Sequence, residues 1–122
     1  MTATLATTAL EMAILRRHPL KGLLHHSDRG VQYASKDYQE LLKKHGMICS
    51  MSRKGNCWDN AAMESFFSTL KAECVTGKIY LTRAQALREI FEYIEIYYNR
   101  KRRHSAIGTM IPEFYENQRK CA

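Results

Sequence analysis

The sequence is poor in proline, in closely spaced cysteine pairs and in long apolar runs, and each shortage excludes a class of protein. Two Pro and six Gly among 122 residues argue against a low-complexity or linker-dominated chain. The four cysteines contain no CxxC pair, so free thiols are expected rather than a disulfide framework or a zinc knuckle. The apolar stretch before the first charge, Glu11, is too short to span a bilayer and lacks the basic start of a secretory signal. We therefore expect one cytoplasmic domain.

Acidic residues are also in the minority, and the imbalance is concentrated near the C-terminus. The chain carries 19 Lys and Arg against 12 Asp and Glu, a formal net charge of +7. Residues 99–122 alone hold six Lys and Arg against two Glu. This excess favours a polyanionic partner, although charge alone does not name it. With 45% hydrophobic residues, the chain still has enough apolar material for a core.

Hydrophobic periodicity predicts one small α/β domain over residues 1–122. A helix is expected within 1–18, a strand–helix–strand unit over 20–52, a helix over 60–75, and C-terminal helices with a basic segment over 82–122. The first helix should end before Pro19. Its inward stripe is predicted to include Leu5, Ala9, Met12, Ala13 and Arg16. Because two strands are too few for an independent sheet, the predicted strands need further support.

Local signals set the ends of the elements in the first half. The apolar run over 22–28 predicts a buried strand that places Asp28 at its C-terminal end. Ser35 is a candidate N-cap for the next helix, and Gly46 is its expected stop. The buried stripe of that helix is predicted to be Tyr38, Leu41 and Leu42. A two-residue period over 47–52 predicts the second strand.

The second half is predicted to be helical. A helix from Ala61 to Cys74 can be capped by Asp59 or Asn60. Its apolar arc is expected to comprise Ala62, Met63, Phe66, Phe67, Leu70 and Cys74. The residues from Thr82 to Gln85 form a capping box that opens a long helix. That helix should end at the basic run of residues 100–104.

Two acids and one cation are the candidate site residues on spacing alone. Asp28 ends a predicted strand, and Glu64 follows it after 35 intervening residues. Lys71 lies seven residues beyond Glu64, which on a helix brings the two within about 20° of the same direction. A carboxylate at the border of core and solvent can bind a metal, and the cation could meet a phosphate. The alternative is an ordinary surface Glu that complements the helix dipole.

Three sequence blocks add a resemblance to a known family. They are HHSDRGVQY at residues 25–33, DNAAMESFFSTLK at 59–71 and YYNRKRRHSAIG at 97–108, the last followed by TMIP. In this order and at this spacing, the blocks resemble the integrase core of the insertion-sequence-three family of transposases, in the protein that the second reading frame encodes. The resemblance covers nearly the whole chain.

The resemblance implies an α/β, ribonuclease-H-like fold of the retroviral integrase core type. It also implies a DDE site, in which two Asp and one Glu hold two divalent ions, Mg²⁺ or Mn²⁺, for DNA strand cleavage and strand transfer. Asp28 matches the second Asp and Glu64 the Glu, while Lys71 matches a cation expected to contact DNA near the cleaved phosphate. Carboxylates suit Mg²⁺ because it is a hard ion that prefers oxygen. The implied partners are insertion-sequence ends and target DNA in the bacterial cytoplasm.

The sequence departs from that family pattern at its start. The first catalytic Asp should precede the first predicted helix, and the only acid before Asp28 is Glu11, which lies within that helix. The expectation is a core truncated at its N-terminus, without its first three strands. We therefore expect at most one weakly held metal ion and no catalysis by this chain alone. The unpaired edge of the first strand should favour self-association or association with intact transposase.

Several alternatives stay open from the sequence. Arg100, Lys101, Arg102 and Arg103 are candidate contacts to the DNA backbone, or cations that merely complement a helix C-terminus. The adjacent His25 and His26 point to opposite faces of a strand, so they cannot chelate one ion together and are expected to pack and hydrogen-bond. The rival function is a non-catalytic DNA-binding remnant that inhibits intact transposase. A basic protein acting on RNA is a third possibility.

Overall fold

The computed structural model describes residues 2–52 and 60–121. The chain divides into two compact units, Met1–Glu64 and Ser65–Ala122. The first unit holds α1 (Ala3–Arg17), β1 (Leu24–Ser27), α2 (Val31–Ala34), α3 (Lys36–Lys44) and β2 (Ile48–Met51). Helix α4 (Ala61–Leu70) crosses the boundary between the units. None of the helices in the described ranges is long and apolar enough to cross a membrane.

Helix α1 confirms the predicted helix but buries a different face. Its first turn is capped by the Thr2 hydroxyl, which accepts from the Leu5 N–H at 3.1 Å, and it ends before Pro19. The buried residues are Ala6, Leu10 and Ile14, whereas Leu5 is 60% exposed. The predicted stripe through Leu5 and Ala9 was wrong by one residue, because the face that packs on α3 is the one that carries Leu10.

Helix α3 supplies the other half of that small core. Ser35 caps it as predicted, accepting from the Tyr38 N–H, and Gly46 follows its end with a φ of +68°. Tyr38 and Leu42 are buried against α1, and Leu42 is 1% exposed. The predicted stripe of α3 is therefore confirmed.

The two predicted strands form a parallel pair, in the register Leu24 with Ile48 through Ser27 with Met51. A parallel pair needs a crossover connection, and α2 and α3 provide it. The prediction that β1 is buried was wrong: Ser27 is buried, but Leu24 is 59% exposed. In the described part of the chain β1 pairs only with β2, so its other edge has no strand to cover it.

The two adjacent histidines of β1 make hydrogen bonds to different partners, as predicted. His25 Nε2 lies 2.8 Å from the Tyr38 hydroxyl, and His26 Nδ1 lies 3.1 Å from Ser50 Oγ. Burial lowers the pKa of His25, and burial raises the pKa of Tyr38 to about 12. The pair is therefore a neutral hydrogen bond near pH 7 that links β1 to the core helix α3.

The second unit is helical, but two of its helices change pitch. Helix α4 continues as a π-helical segment (Lys71–Val75), and α5 (Arg83–Glu92) continues as a second one (Tyr93–Tyr98). A short 3₁₀ turn (Ser105–Ile107) and α6 (Pro112–Cys121) follow. The predicted helices over 61–74 and through residue 97 are present, and each is π-helical in its last part. Widening shifts the backbone bonds to i→i+5, as where the Thr76 N–H donates to the Lys71 carbonyl at 2.7 Å.

The capping box at the start of α5 is present with one variation. Thr82 Oγ1 accepts from the Gln85 N–H at 3.1 Å, as predicted. The return bond runs from the Leu81 N–H to Gln85 Oε1 at 2.9 Å, one residue before the cap. Of the cysteines, Cys49 is exposed and Cys74 buried, and both are free thiols, whereas Cys57 lies outside the described residues.

We expect His25 to make the stability of the first unit depend on pH. Because its pKa is lowered by burial, the unfolded chain binds this proton more readily than the fold does. The free energy of unfolding should therefore decrease as pH falls below about 6.5. Urea titrations at several pH values should show a shallower decrease in His25→Gln. Tyr38→Phe, which removes the hydrogen bond but keeps the ring, should lower stability while keeping the wild-type slope. An unchanged slope in His25→Gln would contradict the assignment.

Candidate functional site

Asp28 lies where the sequence predicted, directly after the C-terminal end of β1. Its Oδ1 accepts from the Gly30 N–H at 2.7 Å, and its carbonyl accepts from the Ser27 hydroxyl at 2.9 Å. A Cβ at Gly30 would lie 2.9 Å from that Oδ1, so the backbone approaches the carboxylate closely. The half-buried carboxylate is therefore held in one orientation, with Oδ1 engaged by the backbone.

The turn that carries Asp28 is also fastened to the end of β2. The Ser52 N–H donates to the Ser27 carbonyl at 2.8 Å, which extends the parallel pairing beyond the strands. Arg29 Nε donates to the Ser52 carbonyl, also at 2.8 Å. Two strand ends are thus tied together beside the carboxylate, and its position depends on the pairing of β1 with β2.

A cavity of about 590 Å³ lies beside Asp28 within the first unit. Its wall is mostly apolar side chains of α1, together with His25, Tyr33 and Tyr38. Met63, at the start of α4, lines the same cavity. Asp28 and the residue immediately before Glu64 therefore border one space.

Glu64 lies in the first turn of α4, where a negative charge complements the helix dipole. It is exposed, and no residue of α4 is buried. The expectation that Glu64 would stand beside a buried apolar arc was therefore wrong for α4 itself. Of that predicted arc, Cys74 in the following π-helical segment is buried, and Phe66 packs edge-on against Tyr98 at 5.0 Å between ring centroids. Of the proposed caps, Asp59 lies outside the described residues.

The two carboxylates do not form a closed metal site. Among residues 2–52 and 60–121, no group of three or more His, Cys, Asp or Glu side chains could hold a metal ion. One oxygen of Asp28 already accepts a backbone hydrogen bond, from the Gly30 N–H. The resemblance implies three carboxylates for a two-metal centre, and the described residues contain no group of that size, so by themselves they do not fit such a centre.

Lys71 lies at the point where α4 becomes π-helical. It is the first residue of the Lys71–Val75 segment and is exposed. In the described part of the chain, neither an ion pair nor a hydrogen bond engages its ammonium group. The side chain is therefore available to an anion, and a phosphate contact at Lys71 stays a prediction.

Within the basic run, Arg102 is half-buried in an ion pair, whereas the other three cations are exposed. Arg102 makes a forked ion pair with Glu73, with Nη2 2.9 Å from Oε2. Arg100 Nε lies 3.4 Å from Glu113 Oε2, in a pair that is largely exposed on both sides. Lys101 and Arg103 are exposed, and no side-chain partner engages either of them among the described residues.

Sequence reasoning missed the acid that engages Arg102. Glu73 accepts from Arg102 and from the Tyr93 hydroxyl, and these bonds lower its pKa. The partners lie 29 and 20 residues from Glu73, so no local spacing rule connects them. The one available signal was the acid itself, near the end of the predicted helix over 60–75.

Family models match both halves of the chain. Two models described as integrase core domain match residues 64–119 and residues 1–57. The two matches together leave residues 58–63 and 120–122 uncovered.

Curated relatives match over nearly the full sequence. Transposase InsF for insertion sequence IS3A of Escherichia coli (strain K12) is 50% identical over 118 residues, which cover 97% of this chain and 41% of that protein. The insertion element IS600 uncharacterized 31 kDa protein of Shigella sonnei is 48% identical over 118 residues, 97% of this chain and 43% of that protein. The chain thus spans about two fifths of the length of these relatives.

Solved structures share the fold at low sequence identity. The catalytic core domain of BIV integrase matches with a TM-score of 0.66 and 21% identity, over 98% of this chain and 74% of that chain. A chain of the simian T-cell lymphotropic virus intasome in complex with PP2A regulatory subunit B56 gamma matches with a TM-score of 0.64 and 16% identity, over 85% and 36%. The predicted ribonuclease-H-like fold of the retroviral integrase core is therefore confirmed. With this fold, with both halves matched by integrase core models and with half of its residues identical to those of IS3 transposases, the chain belongs to the integrase core domain family.

Proposed function

We propose that this chain is part of a DDE-type DNA transposase that acts in strand cleavage and strand transfer during insertion-sequence transposition. The observation that carries the proposal is the 50% identity to IS3 transposases over 118 residues, which span all three motif blocks. The position of Asp28 at a strand end and of Glu64 in a first helical turn agrees with a carboxylate site. The organisms of the relatives support a bacterial host and action in the cytoplasm.

Asp28 and Glu64 are the proposed catalytic carboxylates and metal ligands. Asp28 is oriented by the Gly30 N–H, which leaves Oδ2 for a metal ion. Divalent ions would supply the activation of the attacking oxygen and the neutralisation of the leaving one. Asp28 and Glu64 are two of the three carboxylates that the resemblance implies, and the described residues contain no three-ligand group, so we propose that these residues by themselves hold at most one ion, weakly, and do not cut or join DNA.

Lys71, Arg100, Lys101 and Arg103 are the proposed contacts to the DNA backbone. All four are exposed, and the solvent-exposed pair of Arg100 with Glu113 is weak enough to exchange for a phosphate. A DNA contact by Arg102 stays a prediction, and in the structure its guanidinium pairs with Glu73. Contacts of this kind give affinity without sequence choice and weaken with salt.

A second candidate function is a non-catalytic DNA-binding protein that inhibits intact transposase. The observation that favours it is the absence of a three-ligand metal cluster in the described ranges, while the exposed cations remain. The free edge of β1 offers a means of joining another copy or an intact transposase. DNA binding is common to both candidates, and cleavage separates them.

DNA binding should depend steeply on salt and on the basic run. We expect Lys101→Ala combined with Arg103→Ala to reduce the slope of log K against log salt by about 1.8, since each phosphate contact contributes roughly 0.9. Fluorescence anisotropy with a labelled duplex measures the slope. The matched control removes two exposed cations from α3 (Lys43→Ala with Lys44→Ala) and should change the slope less. Affinity that is indifferent to salt, or an RNA preference over DNA of equal length, would refute the assignment.

The two carboxylates should bind one Mn²⁺ ion weakly without supporting cleavage. In a titration of Mn²⁺ followed by electron paramagnetic resonance, Asp28→Asn and Glu64→Gln should each abolish the bound signal. Glu11→Gln, which removes an exposed acid from α1, should leave it unchanged. A nuclease assay with Mg²⁺ or Mn²⁺ should show no cleavage by wild type. Metal-dependent cleavage that disappears in Glu64→Gln would instead show a complete site. If both variants still bind Mn²⁺, the assignment of Asp28 and Glu64 as metal ligands is refuted.

The open edge of β1 should cause association in solution. We expect the sedimentation coefficient to rise with protein concentration, because the unpaired backbone groups of this edge seek a partner strand. Leu24→Lys places a charge on the edge and should shift the protein toward the monomer. Leu15→Lys, at an exposed position of α1, is the control. A wild-type protein that stays monomeric and melts cooperatively at every concentration would contradict this prediction.

A further inference from the structure

A single carboxylate at Glu73 ties together three separate parts of the second unit. Arg102 Nε donates to both Glu73 oxygens, at 3.0 and 3.1 Å, and Arg102 Nη2 donates to Oε2 at 2.9 Å. The Tyr93 hydroxyl donates to Oε1 at 2.8 Å. Forked pairs of this kind are geometrically specific as well as strong. They fix both the distance and the orientation of Arg102 relative to the helices.

The contributors come from the two places where helices widen. Glu73 lies within the first π-helical segment, and Tyr93 opens the second. π-helical segments are rare and occur often at functional sites. Here one π-helical segment carries the carboxylate and the other begins at the tyrosine that donates to it, so the unusual backbone and this hydrogen bond belong to one arrangement.

Residues 99–104 form a basic turn whose backbone is held by hydrogen bonds on both sides of Arg102. The N–H groups of Lys101 and Arg102 donate to the Tyr97 carbonyl at 2.9 and 2.7 Å. Farther along, the His104 N–H donates to the Met110 carbonyl at 3.0 Å. The Glu113 N–H donates to the Asn99 carbonyl at 2.9 Å. Both ends of residues 99–104 are therefore held by the backbone, and the Arg102 side chain holds the middle.

Arg102 is set apart from its neighbours by its surroundings. Its side chain is 27% exposed against 58% for Arg100. The guanidinium also approaches His104 Nδ1 at 3.3 Å and lies 6.0 Å from the Tyr98 ring centroid. The hydrogen bonds from Arg102, followed by the one from Tyr93, hold the pKa of Glu73 below its usual range. Glu73 therefore stays ionised at neutral pH and cancels the charge of Arg102.

We propose that Glu73 and Arg102 are positioning residues for DNA binding, which fix the turn so that Arg100, Lys101 and Arg103 are presented to the DNA backbone in a set geometry. The inference rests on the proposed DNA contact. It assigns the four consecutive cations two different tasks: one holds the turn, and three meet phosphates. A preorganised turn raises affinity because fewer rotations are lost when the phosphates bind.

The test uses a variant for which charge and position predict opposite results. Glu73→Gln raises the net charge by one, so electrostatics alone would tighten DNA binding. If Glu73 positions the turn, the variant should instead bind roughly tenfold more weakly, with a salt slope reduced by about 1 to 2. Glu89→Gln makes the same charge change in the same unit, at an acid paired with Lys78. This control should bind as tightly as wild type or slightly more tightly.

Two further variants keep the test decisive if Glu73→Gln unfolds. Arg102→Lys preserves the charge but loses the fork, and it should weaken binding in the same way. Exchanging the pair, with Glu73→Arg and Arg102→Glu together, should recover part of the salt slope that either single change removes. Far-UV circular dichroism checks that each variant retains its helices.

DNA binding by wild type distinguishes failure of the positioning role from failure of the proposed DNA contact. If wild type binds DNA with the expected salt slope while Glu73→Gln and Arg102→Lys match it, the positioning role is overturned and the DNA contact stands. If wild type shows no salt-dependent binding to the duplex, both are overturned.

Discussion

The parallel pairing of β1 with β2 is the constraint on which the first half of the molecule depends. It sets the end of β1, and therefore the place where Asp28 leaves the sheet. The bonds from Ser52 to Ser27 and from Arg29 to Ser52 extend that pairing past the strands. The core of α1 and α3 supports the pair, with His25 bonded to Tyr38 between them. The position of Asp28 at the end of β1 therefore depends on the packing of α1 against α3.

Features governed by neighbouring residues could be predicted from the sequence. The caps at Ser35 and Thr82 follow from a hydroxyl that meets an N–H three residues later. Gly46 ends α3 because its backbone adopts a positive φ. The opposite directions of His25 and His26 follow from the two-residue period of a strand.

Features that depend on distant partners could not be predicted. The inward face of α1 is chosen by α3, and apolar residues on several sides of α1 left that choice open. The widening after Leu70 and after Glu92 has no local signature, and it accompanies an ion pair between residues 29 positions apart. For the candidate site, spacing and motif blocks predicted Asp28, Glu64 and Lys71. The pairing of Arg102 with Glu73 could not be predicted, because it depends on the tertiary structure.

The two π-helical segments also restrict how this sequence can change in length. Each widened turn accommodates one more residue than an α-helical turn would, between fixed points at either end. Removing a single residue from the ordinary turns of α5, which have no extra residue to give up, would rotate everything after it by about 100° around the helix axis. Arg102 would then point away from Glu73. Substitutions can therefore accumulate between Thr82 and Arg102 far more readily than insertions or deletions.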